Sequence, residues 1–165
     1  MNIDDIIDFL FISILLLLSF TMGFFVHIVT NLPPPRLKYD NSSLVTGTDI
    51  QDYLSMTNYI VYDKMYSTLS LNFTKKFLKL DDTDLYNYQL DKFDCDNYAI
   101  LLMSRFIEYN YHINIPYNFA IGLCNQKTHV INWFIDNEMK IRCIEPQNDT
   151  IFSCDILNMC DLIII

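Results

Sequence analysis

Between residues 129 and 145 apolar and polar side chains alternate on both sides of a short polar break, and this pattern constrains the fold more than any other stretch. Period-two alternation is the signature of a half-buried strand. Residues 129–135 read as one strand, Asp136, Asn137 and Glu138 as a turn, and 139–145 as the return strand. An earlier strand is expected at 119–124, closed by a turn at 125–128. Pro146 ends the ladder because it has no N–H to donate. A three-residue loop at 136–138 pairs Ile135 with Met139, Trp133 with Ile141, Ile131 with Cys143 and His129 with Glu145. Directly opposed residues share a face, with Cβ atoms about 4.5–5.5 Å apart. The face carrying Ile131, Trp133, Ile135, Met139, Ile141 and Cys143 is apolar; the other mixes Asn132, Lys140 and Arg142 with Val130, Phe134 and Ile144. A one-residue slip would exchange the faces, so the apolar pattern supports this register. It sets His129 beside Glu145 at one end of the buried face.

A second constraint lies upstream. Asp94 is a good N-cap, and a helix is expected from about Cys95 to Tyr109. Its apolar residues Cys95, Tyr98, Ala99, Leu102, Phe106 and Tyr109 recur at offsets of three and four, which defines one buried face. Cys95 then sits in the first turn, facing the sheet. The positive end of the helix dipole favours a thiolate there, while Asp94 and Asp96 oppose it. The plain alternative is a small buried hydrophobe. A carboxylate beside an imidazole accepts its Nδ1–H, fixes the tautomer and stabilises the imidazolium. Cys95, His129 and Glu145 therefore have the makings of an activated thiol. A structural ion pair at a strand end is the competing reading.

Residues 9–26 carry no charge and, as a helix, would be about 27 Å long, near the ~30 Å hydrocarbon core of a bilayer. Asp4, Asp5 and Asp8 precede the run and no cation does, which argues for a retained transmembrane helix over a cleaved signal peptide. Arg36 and Lys38 follow it, and the positive-inside rule puts the C-terminal domain in the cytoplasm. The sequons at Asn41, Asn72 and Asn148 would be used only in a lumenal domain. Pro33, Pro34 and Pro35 favour a stiff extended spacer. The expected organisation is an anchor at 1–30, a proline-containing linker at 31–47 and a domain at 48–165. The domain opens with a helix capped by Thr48 or Asp49, with a stripe of Ile50, Tyr53, Leu54, Ile60, Val61 and Met65. Lys75, Lys76 and Lys79 read as a solvated helix face, residues 81–84 as a loop or cap, and 162–165 as a final strand.

Composition limits the functions available. The formal net charge of −9 argues against nucleic acid as a partner, since phosphate binding needs a basic face. A hydrophobic content of 52% excludes a disordered chain, and 3 glycines make glycine-loop phosphate sites a poor fit. The 5 cysteines form no CxxC pair, and an odd number cannot all pair within the chain. Cys124, Cys143, Cys154 and Cys160 are assigned to core or near-terminal positions, and no metal site or cofactor is expected.

The run Asp94-Cys95-Asp96-Asn97-Tyr98-Ala99, then His129 with Asn132, then Glu145-Pro146-Gln147 resembles the papain-like cysteine peptidase fold. It is most similar to the C-terminal protease domain of agglutinins of the Marasmius oreades type and their phage and viral relatives. The resemblance covers about residues 85–150. It implies Cys95 as nucleophile, His129 as base and Glu145 as orienting acid. Gln89, six residues before Cys95, matches the papain-like glutamine that donates to the oxyanion. The fold class expected is α+β: an N-terminal transmembrane helix, then a papain-like domain with a central helix packed on a small antiparallel sheet. The function implied is that of a membrane-anchored papain-like cysteine hydrolase, a thiol protease acting through a thioester. Its partners would be a peptide or protein substrate and the lipid bilayer. A transglutaminase-like acyltransferase and a catalytically silent viral or cellular membrane protein that binds through the fold are the alternatives.

Overall fold

The computed structural model describes Leu37, Tyr39, residues 43–55 and residues 58–165. The expected membrane segment and Asn41 lie outside these. The described residues fall in one compact unit, Arg36–Ile165. Strands β1 (Leu44–Thr46) and β3 (Met65–Ser67) form a two-stranded antiparallel ladder. The main sheet has the order β2 (Tyr59–Ile60), β8 (Leu162–Ile164), β4 (Ile121–Asn125), β5 (Val130–Ile135), β6 (Ile141–Glu145), β7 (Thr150–Ser153). All its pairs are antiparallel except β2–β8. The helices are α1 (Gly47–Leu54), α2 (Leu71–Leu78), α3 (Cys95–Ile113) and α4 (Ile156–Met159), with a short 3-10 turn at Thr83–Leu85.

Both faces of the sheet are covered. Ile131, Trp133 and Cys143 join a core with Ile50, Leu54 and Ile156, from α1 and α4. Phe134 and Ile144, on the opposite face, pack with Leu102 and Phe106 of α3 and Phe73 and Phe77 of α2. This explains why Asn132, on a face that looked half-solvated in the sequence, is fully buried. Two-sided burial makes β5 nearly continuous in apolar residues, so the alternation between faces carried less information than it suggested. Gly122 allows the close approach of neighbours on β4: an added Cβ would lie 1.9 Å from the Ile164 carbonyl oxygen and 2.9 Å from Trp133 Nε1.

The β5–β6 hairpin differs from its expected register by two residues. Ile135 pairs with Ile141, Trp133 with Cys143 and Asn132 with Ile144. The three-residue loop sits one residue later than expected, at 137–139, between Asp136 and Lys140, with the Asp136 N–H donating to the Lys140 carbonyl at 2.8 Å. Met139 takes the left-handed conformation that such loops need at their last position (φ 60°). The cause is Asp136. Its buried carboxylate accepts from the backbone N–H groups of Glu138 and Lys140, at 2.9 and 2.8 Å, and from Arg142 Nε at 3.0 Å. The shift is even, so every side chain keeps its face.

Other boundaries moved for local reasons. Helix α1 begins before Thr48 because Thr46 and Asp49 form a reciprocal capping box, which also holds the Asp49 carboxyl below its usual range through the Thr46 side chain and then the Thr46 backbone. Ile60 and Met65 belong to strands rather than to a helical stripe. Helix α3 runs to Ile113, where Asn114 in the left-handed conformation ends it.

The fold class requires correction. The domain is organised around sheet: among the described residues eight strands stand beside four helices, and the main sheet has six strands and one parallel pair. The expected small antiparallel sheet is thus a six-stranded mixed one, and the expected anchor lies outside the described residues. The expected single-pass organisation finds no helix among the described residues that is long and apolar enough to cross a membrane.

Cysteine pairing was also missed. Cys124 on β4 is bonded to Cys160 after α4, and Cys143 on β6 to Cys154 after β7. Cys95 is the one cysteine left free.

Candidate functional site

Cys95 opens α3. Asp94 takes an extended conformation as N-cap, and its N–H donates to Asn97 Oδ1 at 3.1 Å. Upstream, Gln89 and Phe93 exchange both backbone hydrogen bonds at 2.8 Å, with Asp91 left-handed (φ 57°) in the tight turn between them. Phe93 stacks on Tyr86 and meets Tyr98 edge-on, and the Tyr98 hydroxyl donates to the Tyr86 carbonyl. This aromatic knot fixes the approach to the helix, and Gln89 is exposed. Cys95 is half-buried. Asp96 is held above its usual range by a hydrogen bond with Asp94, then by burial and the Asp94 charge.

His129 lies in the turn just before β5, where the Gln126 N–H donates to its carbonyl at 2.8 Å. Its Nε2 is 2.7 Å from Glu145 Oε2, with the two side chains 32% and 21% exposed. Those exposures leave the pair open enough to meet a ligand yet sheltered enough to strengthen a charge-assisted bond. The ring nitrogen facing the carboxylate is thus Nε2 rather than the expected Nδ1, which leaves Nδ1 for another partner. Ile131 rather than His129 continues the ladder opposite Glu145, so the pair is diagonal, and the turn at 126–129 brings the ring across. The second Glu145 oxygen accepts from the Gln147 N–H at 3.4 Å.

The helix and the hairpin are joined by Asn132. Its Nδ2 donates to the Ala99 carbonyl at 2.9 Å and to the Gly122 carbonyl at 3.4 Å. Ala99 follows Cys95 by one turn, and Asn132 follows His129 by three residues. Farther along, Phe106 meets Phe119 and shares a core with Phe134. α3 and β5 therefore run in the same sense, and Cys95, His129 and Glu145 lie at the same end of the sheet. Cys95 rides on the helix covering the Asn132–Phe134 face, not the Ile131–Trp133 face that the alternation suggested. The structure thus pairs His129 with Glu145. Among the described residues no hydrogen bond joins Cys95 to His129 or to Gln89. Asn132 was not assigned a role from the sequence; its place three residues after His129 was the available signal.

Nearby, the Asp149 carboxyl is pushed up to about 7, first by burial and then by the charges of Asp84 and Asp81. Burial likewise raises Asp81. Among the described residues no three His, Cys, Asp or Glu side chains are grouped to hold a metal ion.

No family model matches the chain, and no curated protein matches it. Solved structures do. One, described as the PSL1a–E64 complex, has a TM-score of 0.63 at 17% identity, over 74% of this chain and 51% of the other. Another is Polyporus squamosus lectin bound to Neu5Aca2-6Galb1-4GlcNAc, with a TM-score of 0.59 at 15% identity, over 74% and 49%. At such identities the likeness is one of fold, and the chain spans about half the length of these neighbours.

These neighbours correct the expectations that rested on resemblance. Lectin structures stand where a papain-like cysteine peptidase was expected. The reading as a membrane-anchored cysteine hydrolase gives way with it, as do the thiol-protease and acyltransferase assignments. A peptide substrate and a lipid-bound helix are unsupported as partners.

Proposed function

We propose that the chain carries a nucleophilic-thiol site in which Cys95 is the reacting group, His129 the base, Glu145 the residue orienting that base, and Gln89 a donor toward developing negative charge. The observation that carries this reading is the 2.7 Å His129–Glu145 pair at the same end of the sheet as the one free cysteine. Glu145 holds Nε2–H and stabilises the imidazolium, so Nδ1 is the nitrogen that takes the thiol proton. The thiolate forms a C–S bond as a carbon–oxygen bond at the electrophilic carbon opens and its electron pair passes to the oxygen; the Cys95 N–H at the start of α3 and the Gln89 amide are the proposed donors to that oxygen, and the proton held by His129 is returned to it. Asn132 acts as a positioning residue by fixing the helix to the hairpin.

E64, present in one neighbour, is an epoxide that alkylates thiols and serves as a probe. A single E64 adduct on Cys95 in the folded chain, slowed by His129→Ala, supports the reading; no adduct on folded protein overturns it. A second reading, glycan binding, is favoured by the lectin bound to Neu5Aca2-6Galb1-4GlcNAc. Saturable binding of that trisaccharide to a chain whose Cys95 is inert would carry it.

A further inference from the structure

We propose that the domain matures in an oxidising compartment and is modified by N-linked glycans at Asn72 and Asn148. Two observations converge. The first is the pairing of four of the five cysteines. Cys124 and Cys143 lie on neighbouring parts of the central sheet and are fully buried, and each reaches a cysteine in the C-terminal segment. Their Cα separations of 5.4 and 5.8 Å fit the usual span of a disulfide. Such pairs form and persist where the surroundings are oxidising and are rare in reducing cytosol. This reverses the cytoplasmic placement that two cations had suggested.

The second observation is the placement of the sequons, which the same compartment would expose to glycan transfer. Asn148 and Asp149 lie in the turn between β6 and β7, Thr150 begins β7, and Asn148 is exposed. Its Oδ1 accepts from the Thr150 N–H at 3.0 Å, which folds the sequon into a local Asx turn. Its side-chain nitrogen Nδ2 makes no hydrogen bond among the described residues, so a glycan there would break no contact. Asn72-Phe73-Thr74 lies in the first turn of α2. Asn72 is on the exposed side with Lys75 and Lys76, while Phe73 and Thr74 point into the core. A glycan on either asparagine leaves the buried surface intact. Asn148 lies three residues past Glu145, so its glycan would border the thiol site.

The test uses the full chain secreted from, or retained in, the endomembrane system of insect cells. In the full chain carrying Asn41→Gln, which removes the third sequon, treatment with peptide-N-glycosidase should increase electrophoretic mobility in two steps. Asn72→Gln and Asn148→Gln should each remove one step, and Thr150→Ala should remove the Asn148 step without changing the asparagine. Denatured, unreduced protein should take one maleimide label, at Cys95, and five after reduction. A chain whose mobility is unchanged by the glycosidase, or one that takes five labels without reduction, overturns the proposal.

Discussion

The disulfides offer the best-defined perturbation. They are nested: the span from Cys143 to Cys154 lies inside that from Cys124 to Cys160. Sequence separations of 11 and 36 give about 2.8 and about 3.8 kcal/mol when each bridge is treated alone by its loop-closure entropy. The inner bridge already shortens the outer loop to an effective span of about 25 residues, which lowers the outer term to roughly 3.5 kcal/mol. Together they contribute about 6 kcal/mol, a large part of the ~5–15 kcal/mol that stabilises an ordinary domain. Urea denaturation of the Cys124→Ala/Cys160→Ala and Cys143→Ala/Cys154→Ala variants tests this. The outer-bridge variant should lose more stability than the inner, and thiol reductant should bring the native chain close to its unfolding threshold. An inner-bridge variant that loses more than the outer, or a native chain indifferent to reductant, would refute the reasoning.

Three further effects are expected. Asp136→Ala leaves Arg142 Nε and two backbone N–H groups without their acceptor, and should cost about 3–5 kcal/mol by chemical denaturation. The Asp149 carboxyl is raised in the folded state, so its contribution to stability is complete below the unfolded value of 3.8 and is lost as pH rises through about 7. Asp149→Asn, which tolerates the left-handed backbone there, should therefore raise the thermal midpoint at pH 8 and leave it nearly unchanged at pH 4. Gly122→Ala drives a methyl into the Ile164 carbonyl and should destabilise the β4–β8 pairing by about 1–3 kcal/mol, visible as faster amide exchange in β8.

How far these features were legible in the sequence depends on the range of the forces behind them. The start of α3 was readable because Asp94 caps locally and the apolar offsets repeat. The hairpin was readable as a hairpin, but its loop was placed one residue early. A buried carboxylate at Asp136 decides that position, and burial is a tertiary fact. The His129–Glu145 contact survived the two-residue shift because long side chains reach diagonal partners. Ile60 and Met65 fit a helical stripe by spacing alone, yet pair in strands with residues distant in sequence. The two disulfides left no local trace, since connectivity cannot be deduced from spacing. The role of Asn132 was hidden for a related reason: a polar residue on an assumed solvated face is in fact the fully buried link between helix and hairpin.

The central claim is that His129, held by Glu145, governs the reactivity of Cys95. The rate of iodoacetamide labelling at Cys95 in the folded chain, followed by mass spectrometry from pH 5 to pH 10, tests it most directly. The account predicts that His129→Ala slows labelling at pH 6 by about ten-fold or more. Identical profiles for the native chain and the His129→Ala variant would contradict it.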